Sequence, residues 1–167
     1  KTVARCAGRM EYGPRALGNR SILFTAVDPR ANQWLNEKLK RTEFMPFAPA
    51  TLVEHAGRCY RNLEAAADAA RFMTITYDCT DYMKQVSPAA VHVDGTARPQ
   101  LVDAETNPSF HAILTAYHRR TGIPSVLNTS FNIHEEPIVC SPADAVATFL
   151  AGDLDYLALE DLLVSRG

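Results

Sequence analysis

Residues 8–23 read G-R-M-E-Y-G-P-R-A-L-G-N-R-S-I-L. Three arginines, Arg9, Arg15 and Arg20, stand in a run broken by Gly8, Gly13, Pro14 and Gly18. Glycine admits positive φ and proline fixes φ near about −65°, so this run reads as a loop and not as the interior of a helix or strand. Apolar, β-prone residues precede it from Val3 to Ala7 and follow it from Ile22 to Phe24, so the loop is expected to join two strands. Guanidinium groups on such a loop can converge on a phosphate or carboxylate through paired, charge-assisted N–H···O bonds. For one Arg beside one Gly, a solvated surface loop is the better reading. At this density of both, an anion-binding loop is expected.

Outward from this stretch, strands and helices alternate. Asp28-Pro29 gives a cap and a first-turn proline, and Trp34, Leu35 and Leu39 fall at helical spacing, so residues 29–39 are expected to be helical, with Trp34 a core anchor. Pro46 and Pro49 favour an extended course from Phe47 to Val53. Residues 65–70 are alanine-rich, equally suited to a helix or a surface segment, and Phe72 to Tyr77 alternate like a strand. Asn107-Pro108 starts a helix with Phe110, Ile113, Leu114 and Tyr117 on its apolar side, and Gly122 ends it. Pro124 to Leu127 form a short β run. Ser141-Pro142-x-Asp144 starts another helix, and residues 155–159 and 162–164 close as strands. No clean βαβ repeat emerges. The expected class is α/β, a twisted mixed β-sheet with flanking helices.

Bulk composition narrows the function classes. The chain has 167 residues, 47% of them apolar and 22% charged, which suits one globular domain spanning residues 1–167. Its formal charge of −2 supplies no global field for nucleic acid or anionic membrane, so any anion site must be local. Cys6, Cys59, Cys79 and Cys140 contain no C-x-x-C pair, and the five histidines no H-E-x-x-H. Free, mostly buried thiols in a reducing cytoplasm are expected, with no metal bound. His111 and His118 are seven positions apart and are read as packing residues, not ligands. No apolar run is long enough to span a bilayer. The opening K-T-V-A-R-C-A lacks an initiator Met, so an excised piece of a longer chain is expected.

Three further blocks follow the first in order: L-N-E-K-L-K-R-T-E-F-M-P-F-A-P-A after Trp34, H-V-D-G-T-A-R-P-Q from His92, and P-S-V-L-N-T-S-F-N with E-E-P-I-V after it. Together these resemble the C-terminal domain of the carbamoyltransferases typified by nodulation and antibiotic-tailoring enzymes, the tobramycin carbamoyltransferase family. The resemblance covers nearly the whole chain. It implies a YrdC-like fold that binds carbamoyl phosphate and ATP, with Mg, and joins them into a carbamoyl adenylate. It also implies an N-terminal domain of actin-like fold carrying iron, absent from this chain, that passes the carbamoyl group to an acceptor hydroxyl.

Both substrates are anionic. Two charges a few ångströms apart repel by roughly 1–4 kcal/mol for effective dielectrics of about 80 down to 20, so cations and oriented donors must offset them. The candidate ligand residues are Arg15, Arg20, Lys38, Lys40, Arg41 and Arg98, of which the resemblance favours Arg15, Arg41 and Arg98, expected to meet in one cleft. Asn128, Ser130 and Asn132 join them at the end of a predicted strand, where polar groups are well placed for ligands. Taken alone, that segment reads as a side-chain-stabilised turn. Ser130-Phe131-Asn132 matches the S-x-N element of YrdC-like proteins. Their K-x-R element has no clean counterpart, since Lys38-Leu39-Lys40-Arg41 offers Lys and Arg at other spacings, and which lysine acts is left open. No catalytic residue is assigned.

Two functional readings stand at this point: a half-enzyme that activates carbamoyl phosphate with ATP, and a ligand-holding scaffold that turns over nothing without its N-terminal partner. The RNA-modification chemistry of stand-alone YrdC-like proteins is disfavoured by the acidic balance and the G-P-R-A-L-G-N-R block. The expected partners are the N-terminal domain and the small-molecule substrates, with no nucleic acid and no membrane; a homodimer and the acceptor's identity stay open.

Overall fold

The computed structural model describes residues 1–39, 46–133 and 136–166. In chain order its strands are β1 (Val3–Cys6), β2 (Arg20–Phe24), β3 (Ala48–Leu52), β4 (Tyr77–Asp78), β5 (Thr96–Ala97), β6 (Gln100–Val102), β7 (Ser125–Ser130), β8 (Tyr156–Leu159) and β9 (Leu162–Ser165). The helices are α1 (Ala31–Lys38), α2 (Ala56–Cys59), α3 (Asp81–Val86), α4 (Pro108–Thr121) and α5 (Pro142–Ala151). Among the described residues the strands make one seven-stranded sheet, ordered β6-β3-β7-β2-β1-β8-β9, and a two-stranded ribbon, β4-β5. The sheet is mixed: β1 lies antiparallel to β2 and parallel to β8, β8 antiparallel to β9, and β3 parallel to β6. With its helices this is the expected α/β class.

The chain divides into two compact units. The first comprises residues 1–24, 32–45 and 128–167, the second residues 25–31 and 46–127. In the first, β1 is the hub. It pairs with β2 through Val3↔Leu23 to Cys6↔Arg20, and with β8 through Val3↔Tyr156 to Cys6↔Leu159. Ala4, Ile22, Leu35, Phe131, Phe149 and Leu157 are buried. Helix α5 starts as its sequence dictates: the Ser141 hydroxyl accepts from Asp144 N, and the Asp144 carboxylate accepts from Ser141 N at 2.8 Å.

In the second unit, Leu52, Tyr60, Met83, Val102, Phe110 and Leu114 are buried. Helix α4 begins where Asn107 Oδ1 accepts from Phe110 N and ends at Gly122, whose φ of 75° suits glycine. Its apolar side is narrower than expected, because Ile113 is exposed. The Tyr60 and Thr51 hydroxyls bond at 2.7 Å within this core.

Three local expectations meet the structure here. Phe72 to Ile75 do not form a strand, and only Tyr77–Asp78 pair. Met73 takes φ 56° and buries its side chain while Phe72 is exposed, and Thr74 donates its hydroxyl to the Ala69 carbonyl. The alternating pattern there is spent on a turn. Residues 65–70 do not form an α-helix; they lie mostly at the surface, across two 3₁₀ turns, Leu63–Ala65 and Ala69–Arg71. Trp34 is not a core anchor; it is 36% exposed, stacked on Phe24 at 5.0 Å and covered by Lys38 Nζ 4.3 Å from the ring centre.

Candidate functional site

The loop between β1 and β2 is organised from within by one carboxylate. Glu11 Oε1 accepts from Leu17 N at 2.6 Å, Asn19 N at 2.7 Å and Arg20 N at 3.3 Å. Gly18 N donates to the Ser21 hydroxyl at 2.9 Å. Gly13 and Gly18 both take φ 119°, a region closed to side chains, which lets the loop fold back over its own acid.

Two buried arginines complete the frame. Arg5 Nη1 donates to the Gly18 carbonyl and to Asn19 Oδ1, and Asn19 Nδ2 donates on to the Arg9 carbonyl. Burial depresses the Arg5 pKa, while the charges of Glu11 and Glu160 oppose that shift. Arg20, 6% exposed, makes five hydrogen bonds to carbonyls: Nε and Nη2 to Cys140, Nη1 to Ala7 and Asn19, and Nη2 to Gly8. Its guanidinium therefore ties the start of the loop to the segment entering α5. With its donors on carbonyls, Arg20 serves as a clamp in this arrangement.

The loop docks on the end of β7. Asn128 Nδ2 donates to the Ala16 carbonyl at 3.2 Å, directly after Arg15. Phe131 N donates to the Arg20 carbonyl at 2.9 Å. The S-x-N element closes on itself, with Ser130 Oγ donating to Asn132 Oδ1 at 2.7 Å and Asn132 Nδ2 to the Glu136 carbonyl at 2.8 Å. Arg15, Asn128, Ser130 and Asn132 thus fall in one neighbourhood of the first unit. Arg9, Tyr12 and Arg15 are exposed, and neither guanidinium has a hydrogen bond or ion pair among the described residues.

Of the other expected site residues, Lys38 and Arg98 are described. Lys38 donates to the Asp153 carbonyl at 2.6 Å and lies 3.4 Å from the Asp153 carboxylate and 3.9 Å from that of Asp155, beneath Trp34. Those contacts join α1 to the turn before β8. Arg98, half-buried after β5, belongs to the second unit. Lys40 and Arg41 lie outside the described residues.

Among the described residues no three His, Cys, Asp or Glu side chains gather as metal ligands. His111 Nε2 meets Glu54 Oε1 at 2.6 Å, and the His118 ring lies against His55 with centroids 4.3 Å apart. Cys6, Cys59 and Cys79 are buried and Cys140 is exposed, all as free thiols. No helix is long and apolar enough to cross a membrane among the described residues.

Sequence reasoning missed Glu11 and Arg5. A signal for Glu11 was there: it is the sole acid in the first 27 residues, set among four arginines. An isolated carboxylate in such a run is the natural internal counterion.

The family described as "Carbamoyltransferase C-terminus" matches residues 1–166. An uncharacterized protein of Methanocaldococcus jannaschii is 41% identical over 99% of this chain, which spans 31% of that relative. Nodulation protein NolO of Bradyrhizobium diazoefficiens is 43% identical over 95% of this chain, with 29% of the relative covered, and nodulation protein NolNO of Sinorhizobium fredii is 42% identical over 95%, with 23% covered. The chain therefore spans less than a third of the length of these relatives. With four sequence blocks in order and a match over nearly every residue, the chain belongs to the carbamoyltransferase C-terminal domain family.

Proposed function

We propose that this chain is the carbamoyl-activating part of an O-carbamoyltransferase, binding carbamoyl phosphate and Mg-ATP and forming carbamoyl adenylate. The observation that carries this reading is the loop of residues 8–20, in which Glu11 holds the amides of Leu17 and Asn19 while Arg15 is exposed next to Ala16, the residue that Asn128 holds at the end of β7. A preorganised cationic edge beside amide and hydroxyl groups suits an anion that must also be held by its carbamoyl nitrogen and oxygen. Atoms balance when one water enters, phosphate and pyrophosphate leave, and the carbamoyl group ends as a mixed anhydride on AMP. Lys40, Arg41 and Arg98 are proposed as further ligand-binding residues of this chain.

Transfer of the carbamoyl group to an acceptor hydroxyl is assigned to further chain of the kind that makes up more than two thirds of the relatives' length. That same fraction supports a second reading, in which this chain holds ligand and turns over nothing without such a partner domain. A coupled assay for pyrophosphate and phosphate separates the two. Carbamoyl phosphate-dependent release of both from Mg-ATP, without a carbamoylated product, is the outcome of the first. Saturable binding without release is the outcome of the second, and transfer to an acceptor by this chain alone contradicts both.

A further inference from the structure

Successive backbone N–H groups in a tight loop ordinarily form a concavity that takes an external anion. Here that concavity is filled. Of the four amides from Leu17 to Arg20, three donate to Glu11 Oε1 and the fourth to the Ser21 hydroxyl. The amides from Leu17 to Arg20 are therefore not open to an incoming phosphate or carbamoyl phosphate, and the exposed cations of the loop are Arg9 and Arg15. Arg15 lies between two fixed points: Glu11, which grips residue 17 onward, and Asn128, which holds the Ala16 carbonyl.

We propose that Glu11 is the positioning residue of this loop, an internal carboxylate that occupies the amide concavity and so fixes the backbone from which Arg15 is presented to the anionic substrate. The proposal rests on the reading of Arg15 given under Proposed function. Glu11 touches no substrate in it. The carboxylate also places negative charge beside buried Arg5, whose donors hold Gly18 and Asn19, so one acid organises both the amides and the cation behind them. A loop held this way has less conformational freedom to lose when ligand binds, which is the source of the affinity gain expected from preorganisation.

The test is a double-mutant cycle between Glu11→Ala and Arg15→Ala, read by calorimetric titration of this chain with Mg-ATP plus carbamoyl phosphate. Arg15→Ala is expected to weaken binding about tenfold or more, the loss of one charge-assisted contact. Glu11→Ala is expected to weaken it about tenfold in the wild-type background but less than about threefold once Arg15 is gone, since residues acting through one another are not additive. Glu11→Gln, which keeps an acceptor at the same reach, is expected to recover most of the loss. Amide exchange supplies a readout free of ligand: protection at residues 17, 19 and 20 is expected to fall in Glu11→Ala and to return in Glu11→Gln. If Glu11→Ala does not fold, Glu11→Asp, one methylene shorter, takes its place in the cycle. Weakened binding in Arg15→Ala with wild-type affinity, or full additivity, in the Glu11 variant overturns the positioning role alone. Wild-type affinity in Arg15→Ala removes the reading of Arg15 and the proposal with it.

Discussion

Replacing Arg20 by Ala removes one guanidinium and leaves four carbonyls, those of Ala7, Gly8, Asn19 and Cys140, without the charged donor they share. Each partly buried acceptor stripped of its partner costs about 1–3 kcal/mol. The losses do not add, because relaxation and water restore some of them, and a total of about 3–5 kcal/mol is expected from the four acceptors. Against a typical domain stability of about 5–15 kcal/mol this is a large fraction. With a urea slope of about 2 kcal/mol per molar, the unfolding midpoint of Arg20→Ala should fall by about 1.5–2.5 M at unchanged slope. Arg20→Lys keeps the charge but not the planar fork that reaches separate carbonyls, and should recover less than half of the loss. A loss below about 1 kcal/mol with the slope unchanged would refute the clamp.

Three other outcomes follow from the geometry. Burial works against the Asp155 charge, but the Lys1 ammonium, the Thr2 amide and hydroxyl, and Lys38 hold its pKa well below the ordinary value. Its contribution to stability is therefore fully present above the unfolded carboxylate pKa of about 3.9 and lost as pH falls below it, and Asp155→Asn should flatten the acid limb of the stability–pH curve. Thiol labelling under native conditions should mark Cys140 first: Cys59 and Cys79 are buried, with pKa values raised to about 12 and about 11 by desolvation, and equal labelling of all four would contradict the packing. Arg98→Ala should weaken binding of nucleotide or carbamoyl phosphate by about 1.5–3 kcal/mol, measured by calorimetry, and unchanged affinity would remove Arg98 from the site.

The parts of this fold legible in the sequence are those fixed by local chemistry. The Ser141–Asp144 capping box, the Asn107-Pro108 start and Gly122 stop of α4, and the glycine-broken loop all state their conformation within a few residues. The strand order is not local: β1 pairs with β8, more than 150 positions away, and nothing in either segment names the other. Arginine chemistry was equally ambiguous from sequence alone. Arg15 and Arg20 occupy similar glycine-flanked contexts, yet Arg20 falls on the first residue of β2 and turns inward to carbonyls, while Arg15 sits at the loop's outer edge. Lys38 falls at a helix end beside two aspartates contributed by residues 153 and 155, a proximity that only the folded chain creates. The alternation from Phe72 to Tyr77 misled because Met73 buries its side chain from a left-handed backbone, which periodicity does not report.

In the proposed reading, carbamoyl phosphate and Mg-ATP bind together at the loop of residues 8–20. Calorimetric titration of the two ligands together into the wild-type chain and Arg15→Ala tests it most directly. One saturable site is expected in the wild-type chain, weakened about tenfold or more in the variant while both proteins melt alike. No saturable heat in the wild-type chain, or equal affinity in the two, would contradict it.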